Sequence, residues 1–117
     1  MGFKFERLKV WQRAVDFCTE IHKLTRKFPK EELYILTSQL KRAADSVALN
    51  IAEGSTGQTN AEFRLFINYA IRSAIEVVTC LYIGKNREII SAADFTKFYN
   101  EAEEIVKMLQ GLRNSLK

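Results

Sequence analysis

The chain is short of the residues that punctuate folds and of those that catalyse. One proline, Pro29, and five glycines (Gly2, Gly54, Gly57, Gly84, Gly111) occur in 117 residues, too few turn-formers for a β sandwich or barrel. The glycines also lack the spacing of a phosphate-cradling or dinucleotide-binding loop. With a single histidine, His22, zinc sites of the HExxH or Cys/His type cannot be assembled in one chain, and a Ser-His-Asp arrangement would hang on one residue. A di-iron carboxylate bundle needs two Glu-x-x-His motifs, and the sequence has none. Cys18 and Cys80 are the only thiols, and they are expected to be buried apolar residues rather than a staple. No contiguous apolar run approaches the ~20 residues of a membrane span. The opening Met1-Gly2-Phe3-Lys4-Phe5-Glu6 lacks a signal-peptide apolar core and the Ser or Thr of a myristoylation signal at position 6, so a cytoplasmic placement is expected. No cofactor, metal, membrane or small-molecule substrate is expected, and catalysis is not.

What remains is helical. Hydrophobic residues make up 47% and charged residues 27% of the sequence, well mixed, as in one compact domain spanning 1–117. Pro29 divides two periodic stretches, Gly54 ends the second, and Thr59-Asn60-Ala61-Glu62 has the form of a capping box. Gly84 to Ile90 breaks the pattern again, and Ser91-Ala92-Ala93-Asp94 supplies another cap. These signals predict an all-α, antiparallel up-down-up-down four-helix bundle with helices near 7–27, 31–53, 60–84 and 92–115.

The fourth helix has one clear seam: Phe95, Phe98, Ala102, Ile105, Leu109, Leu112 and Leu116. The second has Leu33, Leu36, Leu40, Ala43, Val47 and Ile51. Helices one and three each carry two seams. Leu8, Trp11, Val15 and Cys18 stand beside Val10, Ala14, Phe17, Ile21, Leu24 and Phe28; Phe63, Phe66, Ala70, Val77 and Leu81 stand beside Ile67, Ile71, Ile75, Val78 and Tyr82. A monomeric bundle buries about one wide stripe per helix, so surplus apolar surface is expected at an oligomer interface. The candidates there are Val10, Phe17, Ile21, Leu24, Ile67, Ile71, Ile75, Val78 and Tyr82.

The wording of the sequence adds to its period. Phe5-x-x-Leu8-x-Val10-Trp11-Gln12, Gln39-Leu40-Lys41-Arg42-Ala43-Ala44, Ser46-Val47-x-x-Asn50-Ile51-Ala52-Glu53-Gly54, Glu62-Phe63-x-x-Phe66, Ser73-x-x-Glu76 and Ile105-Val106-Lys107-Met108-Leu109 resemble the four-helix bundle proteins encoded by intervening sequences of bacterial 23S ribosomal RNA genes (S23 ribosomal protein-like). The family is related to the accessory variability protein of diversity-generating retroelements. The resemblance implies a ring-forming subunit, a homopentamer, and a partner that is structured RNA or a nucleic-acid-handling protein. The loop after Glu53-Gly54 departs from the family pattern. It carries no charge from Ser55 to Asn60, where the family is usually rich in Arg or Lys.

Charge supplies the functional expectation. Residues 1–30 carry a net +5 and the remainder −1. Repeated around a ring, a basic first helix would sum into a phosphate-attracting field. Lys9, Arg13, Lys23, Arg26 and Lys27 are the expected nucleic-acid contacts of a non-enzymatic RNA- or ribonucleoprotein-associated adaptor. A protein-interaction scaffold without nucleic-acid affinity is the alternative. Asn50 and Ser73 are expected on inner flanks as structural polar groups. Glu53 beside Gly54 needs a cation at a helix C-terminus, with Arg42 or Arg72 in reach, and Arg72, Glu76 and Arg64 are expected to share a polar face. The polar loop 55–60 could cap the third helix or hold a phosphate there.

Overall fold

The computed structural model describes residues 2–117. A 3-10 turn at Lys4–Arg7 leads through Leu8 into α1 (Lys9–Thr25). The turn stays attached because Phe5 packs on Trp11, with ring centroids 4.7 Å apart. α1 ends where Phe28 drops into the core and Pro29 takes an extended conformation (φ −58°, ψ 148°), closing off helical continuation. α2 spans Ser38–Ser55, α3 Asn60–Asn86 and α4 Ala92–Ser115. Each sequential pair packs, and α1 returns against α4, closing an up-down-up-down bundle of 43 × 23 × 20 Å.

Two expected caps form. Thr59 Oγ1 accepts the Glu62 amide at 3.1 Å, and Ser91 Oγ accepts the Asp94 amide at 3.1 Å, each satisfying one donor that the helix start leaves free. Five boundaries differ from expectation, the ends of α1 at Thr25 and of α2 at Ser55 by two residues each. The first helix starts at Lys9 rather than Arg7. The second helix is not continuous from 31: a 3-10 turn at Lys30–Glu32 and a π-helical segment at Leu33–Thr37 precede α2. The Glu32 carboxylate accepts the Leu36 amide at 3.4 Å, holding the wide turn. This segment leaves Leu33 exposed, so the core stripe begins at Leu36 instead. The third helix also runs past Gly84 to Asn86. Gly84 lies inside it because Ile90 packs where a side chain would stand, its Cγ1 2.7 Å from a would-be Cβ.

The core takes one stripe from every helix: Val10, Ala14, Phe17, Ile21 and Leu24 from α1; Leu40, Val47 and Ile51 from α2; Phe63, Ile67, Val77 and Leu81 from α3; Phe98, Ala102, Ile105 and Leu109 from α4. Each large side chain fully buried contributes roughly 1.5–3 kcal/mol relative to exposure. α2 and α3 make the most extensive contact, and both contribute small buried residues, Ala43, Ala44 and Ala48 from α2 and Ala70 and Ala74 from α3, which let helices approach closely. α3 is long and apolar enough to cross a membrane by length and composition, although its apolar residues form no contiguous run. Here one face of them, including Ile67, Val77 and Leu81, fills the middle of the bundle, while others remain exposed.

Candidate interaction surfaces

The helices divide the surface into two kinds. The α1–α4 side is charged and laced together. Arg13 holds Glu101 with two hydrogen bonds (Nε–Oε2 3.1 Å, Nη2–Oε1 2.6 Å) and approaches Glu104 at 3.9 Å. The hydrogen bond and charge of Glu101 raise the Arg13 pKa further above its ordinary value, against the opposing effect of burial. Lys97 reaches Glu20 at 4.0 Å and Lys27 reaches Asp94 at 3.3 Å, so the ladder runs most of the length of the helix pair. Lys23 pairs with Glu20 within α1 at 3.1 Å.

This ladder changes the reading of the basic strip. Lys9, Lys23, Arg26 and Lys27 are exposed as expected, with Arg13 half-buried. Arg13, Lys23 and Lys27 face carboxylates rather than an open field; only Lys9 and Arg26 of the five lack such a partner among the described residues. Sequence placed all five on one helix but gave no sign that α4 would align Glu101, Glu104 and Asp94 beside them.

The α2–α3 side carries most of the exposed apolar residues, interspersed with exposed charges such as Arg42, Glu53, Arg72 and Glu76. Among the described residues, the exposed large apolar side chains are Leu33, Tyr34 and Ile35 of the π-helical segment, Leu49 of α2, and Leu65, Tyr69, Ile75, Tyr82 and Ile83 of α3, with Phe3 the one exception. Tyr34 is 89% exposed, Leu49 59% and Ile75 55%. Ile75 and Tyr82 lean toward α4, where they line a groove of about 280 Å³ with Val78, Tyr99 and Val106.

The set of expected interface residues therefore needs correction. Val10, Phe17, Ile21, Leu24, Ile67 and Ile71 are buried within the chain and cannot meet a neighbour. They supply the inner stripes of α1 and α3. Of the second α1 seam, Leu8, Trp11, Val15 and Cys18 rest half-buried against the core. Only Ile75, Val78 and Tyr82 of the nine reach the surface. Leu49, Leu65, Tyr69 and Ile83, missed because they fall outside the regular seams, extend that surface.

Along the α2–α3 junction, Asn50 and Ser73 are half-buried and share one network, as structural polar groups. Asn50 Nδ2 donates to Ser46 O and Oγ at 2.9 Å each, and Ser73 Oγ donates to Ser46 Oγ at 2.9 Å. Ser46, the shared atom, was not singled out in sequence. Gln39 Nε2 donates to Glu76 at 3.5 Å. Glu53 forms no ion pair with Arg42 or Arg72, all three being exposed to water, where a lone carboxylate is tolerated. Arg72, Glu76 and Arg64 do not form one face: Arg64 turns to α4 and donates to Leu116 O at 2.8 Å, while Glu76 turns to α2. Gly54 has a clear role, since a Cβ there would lie 2.5 Å from Phe66 Cβ. Loop 55–60 is a cap: Glu62 lies beside Gly57 and places a carboxylate where an anion would have to sit.

Both thiols are free, Cys80 buried and Cys18 half-buried. Burial, reinforced by Asp45, pushes the Cys18 thiol up to about 11, and burial raises Cys80, with Glu76 adding to it. Neither has the depressed pKa of a nucleophile. Among the described residues no cluster of His, Cys, Asp and Glu is placed to hold a metal ion.

Comparison with known proteins agrees with this architecture. A crystal structure of a protein with unknown function from the S23 ribosomal protein family of Bacteroides thetaiotaomicron superposes with a TM-score of 0.80 at 23% identity, over 89% of this chain and 97% of that one. That likeness shows a shared fold. No curated protein matches. The model of the 23S rRNA-intervening sequence protein family matches residues 6–111, which is nearly the whole bundle and includes all the residues that carried the sequence resemblance except Phe5. The chain belongs to the 23S rRNA-intervening sequence protein family.

Proposed function

We propose that the chain is a non-catalytic cytoplasmic adaptor that works as a homo-oligomer, a pentamer as the family resemblance implies, with RNA or a ribonucleoprotein as its partner. The observation that carries the reading is the segregation of exposed apolar side chains onto α2, α3 and the π-helical segment, opposite a charged α1–α4 side. An apolar surface of this extent is expected to be covered by other protein, and a repeated subunit supplies that cover symmetrically. The charged side then faces outward or into a central opening, where Lys9 and Arg26 from each copy add to a common field.

Sedimentation velocity tests the assembly. The wild type should sediment as a single species several times the 13.5 kDa of the chain, and Ile75→Lys combined with Tyr69→Lys should reduce it to a folded monomer. A wild-type monomer at micromolar concentration refutes the reading. Binding of a structured RNA should weaken steeply with salt.

A protein-interaction scaffold without RNA affinity is the competing reading, and one observation favours it: the carboxylates already facing Arg13, Lys23 and Lys27. An assembled oligomer that leaves structured RNA unbound even at low salt selects the scaffold.

A further inference from the structure

On the α1–α2 side, away from the ladder with α4, a cavity of about 290 Å³ is lined by Cys18, Thr19, His22, Lys23, Arg26 and Asp45. Its geometry centres on the one histidine of the chain. His22 Nε2 lies 2.8 Å from Asp45 Oδ1, and since a carboxylate only accepts, Nε2 carries the hydrogen in either charge state. Nδ1 has no protein partner among the described residues. Proton uptake at Nδ1 therefore converts an acceptor on the cavity wall into a donor and adds a positive charge.

Cationic groups gather around the cavity. His22 and Lys23 occupy the last turn of α1, where the helix dipole attracts cations. Arg26 follows one turn on and has no carboxylate partner among the described residues. The antiparallel register fixed by His22 and Asp45 brings Lys41 of α2 level with Arg26. Asp45 is the carboxylate that lines the cavity from α2, and Glu20, bound to Lys23 and Lys97, lies on the far side of α1. The Thr19 and Cys18 hydrogens donate to Val15 O at 3.1 and 3.2 Å, so neither is left to donate into the cavity.

We propose that this cavity is a phosphoryl-anion site. A phosphate group, from an RNA backbone or from a free phosphorylated small molecule, is held by the Arg26 guanidinium and the Nδ1–H of protonated His22, with Asp45 fixing the ring and Lys23, paired with Glu20, at the rim. A tetrahedral anion matches donors that converge from different directions, and guanidinium offers it a two-pronged contact. The site does not depend on the oligomer or on RNA being the partner.

A single histidine makes the test unambiguous, because its ring protons give one set of NMR signals. Inorganic phosphate should shift those signals saturably and move their titration midpoint upward, by about one pH unit if the charged ring binds phosphate tenfold tighter. Arg26→Ala should weaken phosphate binding by about tenfold or more, through the loss of its charge-assisted contact, whereas Lys107→Ala on α4, paired with Glu103, should leave it unchanged. Should Arg26→Ala disturb folding by circular dichroism, Arg26→Gln serves in its place. His22 signals that respond to phosphate no more than to chloride of equal ionic strength overturn the proposal, as does an undiminished response in the Arg26 variant. Two further ligands identify the source. An RNA hairpin that competes with phosphate and is weakened by Arg26→Ala assigns the site to RNA, and a nucleoside monophosphate that competes where the hairpin does not assigns it to small molecules.

Discussion

Arg13 and Glu101 meet across α1 and α4 in a two-pronged ion pair, with both oxygens of the carboxylate engaged and the shorter contact at 2.6 Å. The pair joins helices at opposite ends of the sequence and makes the first basic residue of mid-α1 a fastener. Both side chains remain over a third exposed, so solvent limits its strength to about 0.5–1 kcal/mol. Arg13→Lys should lose most of that, because an ammonium cannot copy the fork. A double-mutant cycle with Glu101→Gln, read by urea denaturation, checks it: additive losses would mean the two groups do not interact.

Gly54 sets how closely α2 approaches α3. Gly54→Ala forces a methyl against Phe66 Cβ and Phe63 Cδ1, at 2.5 and 3.0 Å, and is expected to destabilise the bundle by about 1–3 kcal/mol as overpacking does. Gly111→Ala is the control, with nothing within 4 Å of its would-be Cβ, and should be neutral or slightly stabilising through helix propensity. Thermal unfolding of both variants measures the contrast.

Among the described residues, Glu88 is the non-glycine residue with a left-handed backbone, at φ 61°. It follows the end of α3, where the Ile89 amide returns to Gly84 O at 2.8 Å, a position that usually holds glycine or asparagine. Glu88→Asn should relieve this strain and raise stability by about 0.5–1 kcal/mol. An unchanged or lower unfolding midpoint would contradict it.

Burial pushes the Cys18 thiol up to about 11 in the folded chain, against roughly 8.5 for a free thiol. Alkylation at pH 8 should therefore be slower than for a model thiol by about two orders of magnitude, rising tenfold per pH unit. The sign for stability follows from proton binding. Between those two values the folded chain holds a proton that the unfolded chain releases, so the thiol's contribution is complete below about pH 8 and is lost as pH rises toward 11. A Cys18→Ser variant should lose that component of the alkaline slope.

The bundle could be read from sequence because its signals are local: caps at Thr59 and Ser91, a proline between α1 and α2, and inner stripes repeating every three to four residues. The π-helical segment escaped because an extra residue within a turn leaves no mark on composition, and Leu33 reads as core until the phase shifts. The interface escaped for a different reason. Two seams on α1 and α3 were visible, but which one faces inward depends on where α2 and α4 stand, and Ile21 and Ile75 look alike until then. Charge behaved in the same way: the basic excess of residues 1–30 was countable, while its pairing with Glu101 and Asp94 belongs to packing. His22 was read only as too little for catalysis, since its partner Asp45 lies 23 residues away on another helix.

The π-helical segment Leu33–Thr37 also acts as a phase coupler. One residue of an α-helix turns the chain by about 100°, so deleting a residue here would swing Leu33, Tyr34 and Ile35 around by that angle relative to α2. The extra residue lets Leu36 at the end of the segment and Leu40 of α2 stay inward while Leu33, Tyr34 and Ile35 face outward. Length changes at this corner would thus retune what the end of the bundle displays while leaving the α1–α4 ladder and the α2–α3 junction in register.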